Sequence, residues 1–361
     1  MAIQNFTLTP QRVGIIKGRI LKHAMPVIVL GTVGVNDDFK PNTSDTVKYR
    51  RWLPKGATTT QPNRFFQDAT GDRSAAYANA ALTSEGVTSA AETVSAQDLT
   101  VTLNQYNVLY GYTDKTFDLY EDDIPKAMTE LTGERTGLIH EMVLFGVLKA
   151  CSNKFYGGTG TSRATVNGVI TLLQLRKIAR SLNANHADTV KKMVQRIPAS
   201  GMYATAPVEG GSYPVFCSTD LQADIRDLPG FIHVSRYSDP NRAVPGEFGT
   251  CEQFRFICSP ELVAVQDSGA AVAGSNPPLL STTGTSADVY QVVIGSEDAW
   301  GHVGVNIAKQ GGITAMTPGQ IDKADPQGQR GYVGTKFYYN AIVLNNLQMA
   351  ILEVGANALT Q

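Results

Sequence analysis

One long helical pattern constrains this chain more than any other feature. Apolar residues recur at three- and four-residue steps from about residue 123 to 151, and Pro125 stands in the first turn, where helices tolerate it. About 28 residues at a rise of 1.5 Å predict a helix of about 42 Å, against a mean of about 11 residues in globular proteins. Gly133, Gly137 and Gly146 cost stability inside a helix, so we expect something packed across it to approach the backbone closely.

Residues 32–98 form a polar stretch that is thin in large apolar side chains. Such a stretch cannot build a core alone, so it is either disordered or an extended arm that another molecule orders. A basic and aromatic island, Lys48–Lys55, lies within it. This island is either a solvated charge run or an anchor onto a neighbouring chain, because Trp, Tyr and Arg dominate interface hot spots.

The start of the chain predicts a helix opened by Thr9-Pro10 and ended before Pro26, followed by a short strand over 27–30. One side of this helix is basic, with Arg12, Lys17, Arg19 and Lys22. Further on, a strand pattern slips by one residue near Asn104-Gln105, which predicts a bulge or bend there.

From about residue 160 the pattern becomes mixed. Capping boxes at Thr171–Gln174 and Thr219–Gln222 predict two helix starts. Alternating or buried apolar runs predict strands at 213–217, 254–258, 289–294, 301–307, 337–344 and 349–354. The chain as a whole is therefore predicted to be α+β.

Composition favours a protein that covers much of its surface with partners. Charged residues make up 17% of the 361, against about 25% in an average soluble domain, and the formal net charge is −1. This balance excludes a strongly basic chain that coats nucleic acid by charge alone. No apolar run is long enough for a transmembrane helix, and the first residues carry no secretion signal. The four cysteines predict buried, reduced thiols.

Catalytic motifs are incomplete. His140-Glu141 lacks a second His four residues later, no Gly-Lys dipeptide supplies a phosphate-binding loop, and no Gly-x-Ser-x-Gly elbow occurs. We therefore expect no enzyme, no cofactor and no metal site.

Several short segments, taken in order, resemble one protein family. Gly246-Glu247-Phe248-Gly249 is followed by Arg255-Phe256 and Ser259-Pro260, and later by Asp288-Val289-Tyr290 and Gly334-Thr335-Lys336. Together with the long helix and the polar stretch, these segments resemble the major capsid proteins of tailed bacteriophages, which have the HK97-like fold. Within them they resemble the branch typified by coliphage N-four. Phe248 stands where that branch is expected to have Ile.

The resemblance implies a domain organisation. It predicts an N-terminal arm over 1–44 and an extended E-loop over 45–98. It also predicts a peripheral domain made of 99–160 and 331–361, with a spine helix at about 123–151, and a mixed α/β axial domain with loop insertions over 161–330.

The resemblance also implies a function. The chain would assemble with itself into hexamers and pentamers of an icosahedral head that encloses double-stranded DNA. It would reside in the virion capsid after assembly in the host cytoplasm, with scaffold, portal and decoration proteins as partners and without contact to a membrane. The implied contact residues between subunits are Lys48, Arg50, Arg51, Trp52 and Lys55, and those facing a neighbour or packaged DNA non-specifically are Arg12, Lys17, Arg19 and Lys22.

Two alternatives from other classes remain open at this point. A cytosolic oligomeric enzyme with a long lid over an α/β domain would also have a long polar excursion, and it predicts a pocket with convergent polar groups. An elongated fibre or tail component fits less well, because sequence repeats are expected of it and none occurs.

Overall fold

The computed structural model describes residues 28–38, 44–55, 57–62, 81–88, 91–119, 123–196, 203–237, 243–244, 246–275, 277–304, 312–321, 323 and 325–359. The predicted N-terminal helix, with Arg12, Lys17, Arg19 and Lys22, lies outside the described residues. The predicted strand over 27–30 is wrong for the part that is described. A 3₁₀ turn spans Leu30–Thr32 instead, because the backbone N–H groups of Val29 and Leu30 donate to a side chain of the long helix and not to a strand.

Four α-helices lie in the described part of the chain: α1 Asp114–Leu119, α2 Ile124–Leu148, α3 Leu172–Ala184 and α4 Gln222–Arg226. Helix α2 is the predicted long helix. Its N-terminus is capped by Asp123, whose carboxylate accepts from the N–H of Lys126 at 3.2 Å. It ends three residues before the predicted position, and the chain turns there toward the next strand.

Fifteen strands lie in the same described ranges. They are β1 Val35–Asp38, β2 Thr46–Leu53, β3 Ser95–Thr102, β4 Asn104–Thr113, β5 Lys154–Tyr156, β6 Val190–Arg196, β7 Tyr203–Ser218, β8 Ile232–His233, β9 Glu247–Cys251, β10 Phe254–Ser259, β11 Tyr290–Gly295, β12 Trp300–Gly304, β13 Thr314–Met316, β14 Arg330–Val343 and β15 Met349–Val354.

A five-stranded sheet carries the long helix. Its order is β1-β12-β14-β13, and β4 pairs with β14 along most of that strand's length. Helix α2 packs on β14 and β4, and the His140 ring lies 4.6 Å from the ring of Phe337 and 4.4 Å from that of Tyr339. The helix is therefore fixed to the sheet by aromatic packing as well as by aliphatic side chains.

An eight-stranded sheet forms the second layer, in the order β5-β15-β11-β7-β10-β9-β8, with β6 paired to β7. One face packs against α3 and α4. The opposite face meets the end of α2, where Leu144, Phe145 and Leu148 join Phe216 and Trp300 in one buried cluster. Side chains alternate between the two faces of a strand, so β7 contributes to both cores.

Where the sequence predicted a bulge or bend near Asn104-Gln105, the chain passes from one sheet to another. Strand β3 pairs with β2 in a separate two-stranded ribbon, and β4 pairs with β14. The chain leaves the one and enters the other at Leu103, whose N–H donates to the carbonyl of Asp45 at 2.9 Å. The apolar residues shift register because they face different partners on the two sides of this residue.

Strand pairing crosses the predicted boundary between the axial and peripheral segments in both sheets. Strands β12 and β13, from the predicted axial segment 161–330, pair in the five-stranded sheet. Strand β15, from the predicted peripheral segment 331–361, pairs with β11 in the eight-stranded sheet. The division into domains stays a prediction.

The capping box at Thr171–Gln174 is confirmed, with both reciprocal hydrogen bonds present. The second predicted box is wrong in position. Ser218, one residue earlier than Thr219, caps a short 3₁₀ turn that runs into α4.

Candidate intersubunit surface

The ribbon formed by β2 and β3 presents two different faces. Along β2 the side chains alternate, with Lys48, Arg50 and Trp52 exposed and Tyr49 and Arg51 partly covered by the body of the same chain. We call the exposed side the outward face of the ribbon, formed by Lys48, Arg50 and Trp52 together with their register partners Thr100, Asp98 and Ala96 on β3.

The opposite face of the ribbon, with Tyr49 and Arg51, contacts the rest of the same chain, which we call the body. The hydroxyl of Tyr49 donates to Asp37 on β1 at 2.8 Å, and the guanidinium of Arg51 donates to the carbonyl of Leu344. Burial and the bond to Asp37 raise the pKa of Tyr49, and burial lowers the pKa of Arg51. These bonds fix the angle at which the ribbon leaves the body.

One further bond joins the ribbon to the five-stranded sheet. The side-chain amide of Asn340 on β14 donates to the carbonyl of Thr102 at 2.6 Å, and the bond from Leu103 to Asp45 closes the end of the ribbon beside it. A cleft of about 330 Å³ opens between the ribbon and the body, and Arg51 and Leu344 are among its lining residues. Hydrogen bonds therefore hold the ribbon to the body, and the cleft lies between the two.

The outward face carries an ion pair across the strands. The Arg50 guanidinium donates to both carboxylate oxygens of Asp98, at 2.7 and 2.9 Å, and the ammonium of Lys48 lies 3.6 Å from the same carboxylate. The hydrogen bond from Arg50 lowers the pKa of Asp98 to about 2. Lys55, beyond the end of β2, pairs with Glu92.

Trp52 is the large apolar group of the outward face. Its side chain is 64% exposed, although an indole is a side chain that proteins usually cover. Its register partner is Ala96, which offers little area to pack against. The described residues leave most of the indole surface open to a partner.

The five residues predicted for subunit contact therefore do not form one surface. Lys48, Arg50 and Trp52 share the outward face, whereas Arg51 turns toward its own chain and Lys55 pairs at the far end. Asp98 was not among the predicted contact residues, although it neutralises part of the basic run. Asp98 is the only acidic residue of β3. Its position opposite Arg50 becomes evident only once the register of β2 and β3 is known.

Buried carboxylates elsewhere act as structural acceptors. Glu141 accepts from the N–H groups of Val29 and Leu30, at 3.0 and 3.1 Å. Glu247 accepts from Tyr237, Arg255 and the N–H of Val244. Each has donors from its own chain, so hydrogen bonds within the fold account for the burial of these two carboxylates.

The described residues contain neither a cluster of metal ligands nor a membrane-spanning helix. No three or more His, Cys, Asp and Glu side chains are grouped so that they could hold a metal ion. Among the same residues, no helix combines the length and the apolar character needed to cross a membrane.

The arrangement of the sheets, the helices and the ribbon defines the fold class of the protein. A long helix on a five-stranded sheet, a second sheet with its own helices and a two-stranded ribbon make an α+β protein with the HK97-like fold of phage capsids, as predicted. The capsid protein of Ralstonia phage GP4 superposes with a TM-score of 0.62 and 12% identity, covering 98% of this chain and 100% of that one.

Two further solved structures give the same fold. A chain of Mycobacterium phage Che8 superposes with a TM-score of 0.56 and 10% identity, covering 97% of this chain and 98% of that one. A chain from the head of Helicobacter pylori bacteriophage KHP40 has a TM-score of 0.55 and 11% identity, with coverages of 99% and 98%.

Sequence comparison gives one relative with a functional name. The major capsid protein of Pseudomonas phage KPP21 is 24% identical over an alignment of 275 residues, and the match covers 70% of this chain. The match spans 66% of that protein, just under two thirds of its length. No protein-family model matches the chain.

Proposed function

We propose that this chain is the major capsid protein of a tailed phage and that it builds the shell by assembling with copies of itself. The observation that carries the proposal is a capsid fold that extends over nearly the whole chain, supported by the similarity to a named major capsid protein. The role is structural and not enzymatic. Hexamers and pentamers are the assemblies that would close such a shell.

The low charge of the chain supports this role. Interface cores are depleted of charged residues, and 17% charged residues is low for a chain with an entirely solvated exterior. The outward face of the ribbon is the contact for which the structure offers the best support. Its exposed Trp52 would cover apolar surface of a neighbouring subunit, and Lys48 would add a charge contact at the rim.

Finer assignments rest on the sequence resemblance. We propose that the chain belongs with the branch typified by coliphage N-four, on the order of its short motifs. Scaffold, portal and decoration proteins would be its partners, and assembly would take place in the host cytoplasm. Arg12, Lys17, Arg19 and Lys22 would contact a neighbour or packaged double-stranded DNA, and a DNA contact would be weakened by salt.

Electron microscopy of the purified chain tests the shell proposal. The chain is concentrated at several salt strengths, alone and with a crude scaffold-containing extract. Closed shells, sheets, tubes, hexamers or pentamers are expected. A uniform dimer or tetramer under all conditions, with the ribbon resistant to protease, would contradict the proposal.

A pair of substitutions tests the ribbon contact separately. Trp52→Ala is expected to lower particle yield by about tenfold or more, as removal of an interface hot spot does, and to leave the unfolding midpoint of the free subunit unchanged. Val263→Ala is the matched control, since Val263 is 66% exposed and lies outside the ribbon. A normal yield of Trp52→Ala particles would contradict the proposed ribbon contact but would not contradict the shell proposal.

A further inference from the structure

Two of the four cysteines lie side by side in the eight-stranded sheet. Cys217 on β7 and Cys258 on β10 are direct register partners in a parallel strand pair, and their sulfur atoms are 3.4 Å apart. Cys151 and Cys251 are also buried, and the partner of each sulfur is a backbone carbonyl, of Asn346 and Pro229 respectively. Cys217 and Cys258 are therefore the two cysteines that strand pairing brings together.

The geometry of this pair suits a disulfide bond. Neighbouring strands lie about 4.8 Å apart, which falls within the Cα–Cα range of about 4.4–6.8 Å found for disulfides. Both side chains belong to the same buried cluster, so they point to the same face of the sheet. The sulfurs need to approach only from 3.4 Å to the bond length of about 2.0 Å.

The two thiols are not equivalent. Cys217 is fully buried, whereas Cys258 is 5% exposed. Hydrogen bonds from Cys217 and from the side chain of Gln222 lower the pKa of Cys258, against the opposing effect of burial. The hydrogen bond and burial raise the pKa of Cys217. Because Cys258 is the more exposed of the two residues, it is the one that a small oxidant reaches first, with Cys217 beside it.

We propose that Cys217 and Cys258 form a redox pair that closes to an intramolecular disulfide when the protein meets a small peroxide. The Cys258 thiolate attacks one oxygen of hydrogen peroxide, forming a sulfenic acid and releasing hydroxide. The Cys217 sulfur then displaces the sulfenic oxygen, which leaves as water once it has taken up the Cys217 proton. In total, two thiols and one hydrogen peroxide give one disulfide and two waters.

The proposal does not depend on the function of the chain as a shell protein. In a reducing compartment the dithiol is the expected form, and in an oxidising one the disulfide. The bond would join two strands whose cysteines are 41 residues apart in sequence, across a segment that includes β8 and β9. Closing that loop restricts the unfolded chain, so the disulfide form should unfold at a higher temperature.

The test compares one protein in two redox states. The variant Cys151→Ala/Cys251→Ala, which keeps only the proposed pair, is treated with a small excess of hydrogen peroxide and then denatured for thiol counting and intact mass. We expect its two thiols to disappear, its mass to fall by two hydrogens, its unfolding midpoint to rise by about 5 °C, and dithiothreitol to reverse these changes. Non-reducing peptide mapping of the wild-type chain should give the same Cys217–Cys258 linkage.

Two controls make the result decisive. Adding Cys217→Ala to the pair variant should leave Cys258 alone, so that peroxide adds oxygen to it instead of removing hydrogens. Refolding the pair variant in a glutathione redox buffer gives access to both sulfurs whatever the rate of peroxide entry. Two free thiols after both treatments, oxygen addition in place of a disulfide, or a linkage between chains would each overturn the proposal.

Discussion

Arg50 and Asp98 lie directly opposite each other across the ribbon, and both carboxylate oxygens accept hydrogen bonds from the guanidinium, at 2.7 and 2.9 Å. The pairing is cross-strand, so it forms only when β2 and β3 are in this register. The basic island consequently presents less net charge on its outward face than its sequence indicates, and Trp52 becomes the more prominent feature of that face.

The first prediction concerns the ionisation of Asp98. Arg50→Gln should raise the pKa of Asp98 from about 2 toward its ordinary value of 3.8, because the hydrogen bond from Arg50 is the largest cause of the shift. In the wild-type chain the folded-state pKa lies below the unfolded one. The stabilisation from pairing is therefore complete above the unfolded pKa and is lost as the pH falls through about 2.

The measurement is NMR titration of the free subunit with labelled aspartate. Lys48→Gln is the matched control, with a smaller expected rise because Lys48 lies 3.6 Å from the carboxylate and is a minor cause of the shift. An unchanged Asp98 titration in Arg50→Gln would show that the cross-strand pair does not form in solution.

The second prediction concerns the buried carboxylate of Glu141 on α2. Glu141→Ala should lower the free energy of unfolding by about 3 kcal/mol, because it leaves the N–H groups of Val29 and Leu30 buried without an acceptor. Glu141→Gln retains one acceptor oxygen and should cost about 1 kcal/mol. Urea unfolding of the free subunit measures both, with the exposed Glu130→Gln on the same helix as the control.

The raised pKa of Glu141 also predicts that the free energy of unfolding depends on pH. Burial raises its pKa, against the opposing effect of the two N–H groups. A carboxyl group with a raised folded-state pKa binds its proton more tightly when the chain is folded, so the Glu141 contribution to stability falls as pH rises through that pKa. Glu141→Gln should remove this part of the slope, and an unchanged slope would contradict the assignment.

The third prediction separates two glycines of α2. A Cβ at Gly146 would have no heavy atom of the described residues within 4 Å, whereas one at Gly137 would lie 2.4 Å from Cδ1 of Ile28. Gly146→Ala should therefore stabilise the free subunit by about 1 kcal/mol through helix propensity alone.

Gly137→Ala should gain less or lose stability, because the side chain of Ile28 must move. Urea unfolding of the two variants side by side is the measurement. Equal gains from both substitutions would show that the segment at Ile28 does not pack on the helix.

The fourth prediction compares two arginine–glutamate ion pairs that differ in burial. Arg163 donates to Glu353 at 3.1 and 2.6 Å, and the Glu353 side chain is only 1% exposed. Arg163→Ala should cost about 1–2 kcal/mol, since it leaves a buried carboxylate with the weaker contacts of Lys154 at 3.9 Å and Gln291 at 3.0 Å.

Arg176→Ala is the control, because Arg176 and Glu252 are 60% and 38% exposed and their pairing should be worth less than about 1 kcal/mol. Thermal unfolding monitored by circular dichroism distinguishes the two. A cost for Arg176→Ala that equals the cost for Arg163→Ala would contradict the role assigned to burial.

Features that depend only on neighbouring residues in the chain could be predicted before the fold was known. Helix α2 follows from the spacing of its apolar residues and from Asp123 and Pro125 at its start. The box at Thr171–Gln174 closes within one turn. The order of short motifs was sufficient to predict the HK97-like fold, which the solved phage capsids share.

Features that depend on a partner far along the chain could be seen only in the folded molecule. The register shift after Leu103 separates two sheets, and Glu141 is satisfied by residues more than 110 positions away. The inward turn of Arg51, the proximity of Cys217 to Cys258 and the contact of Ile28 with Gly137 have the same origin. Local periodicity specifies which side of an element is apolar, but strand pairing and packing specify what that side meets, because those contacts join segments that no local pattern links.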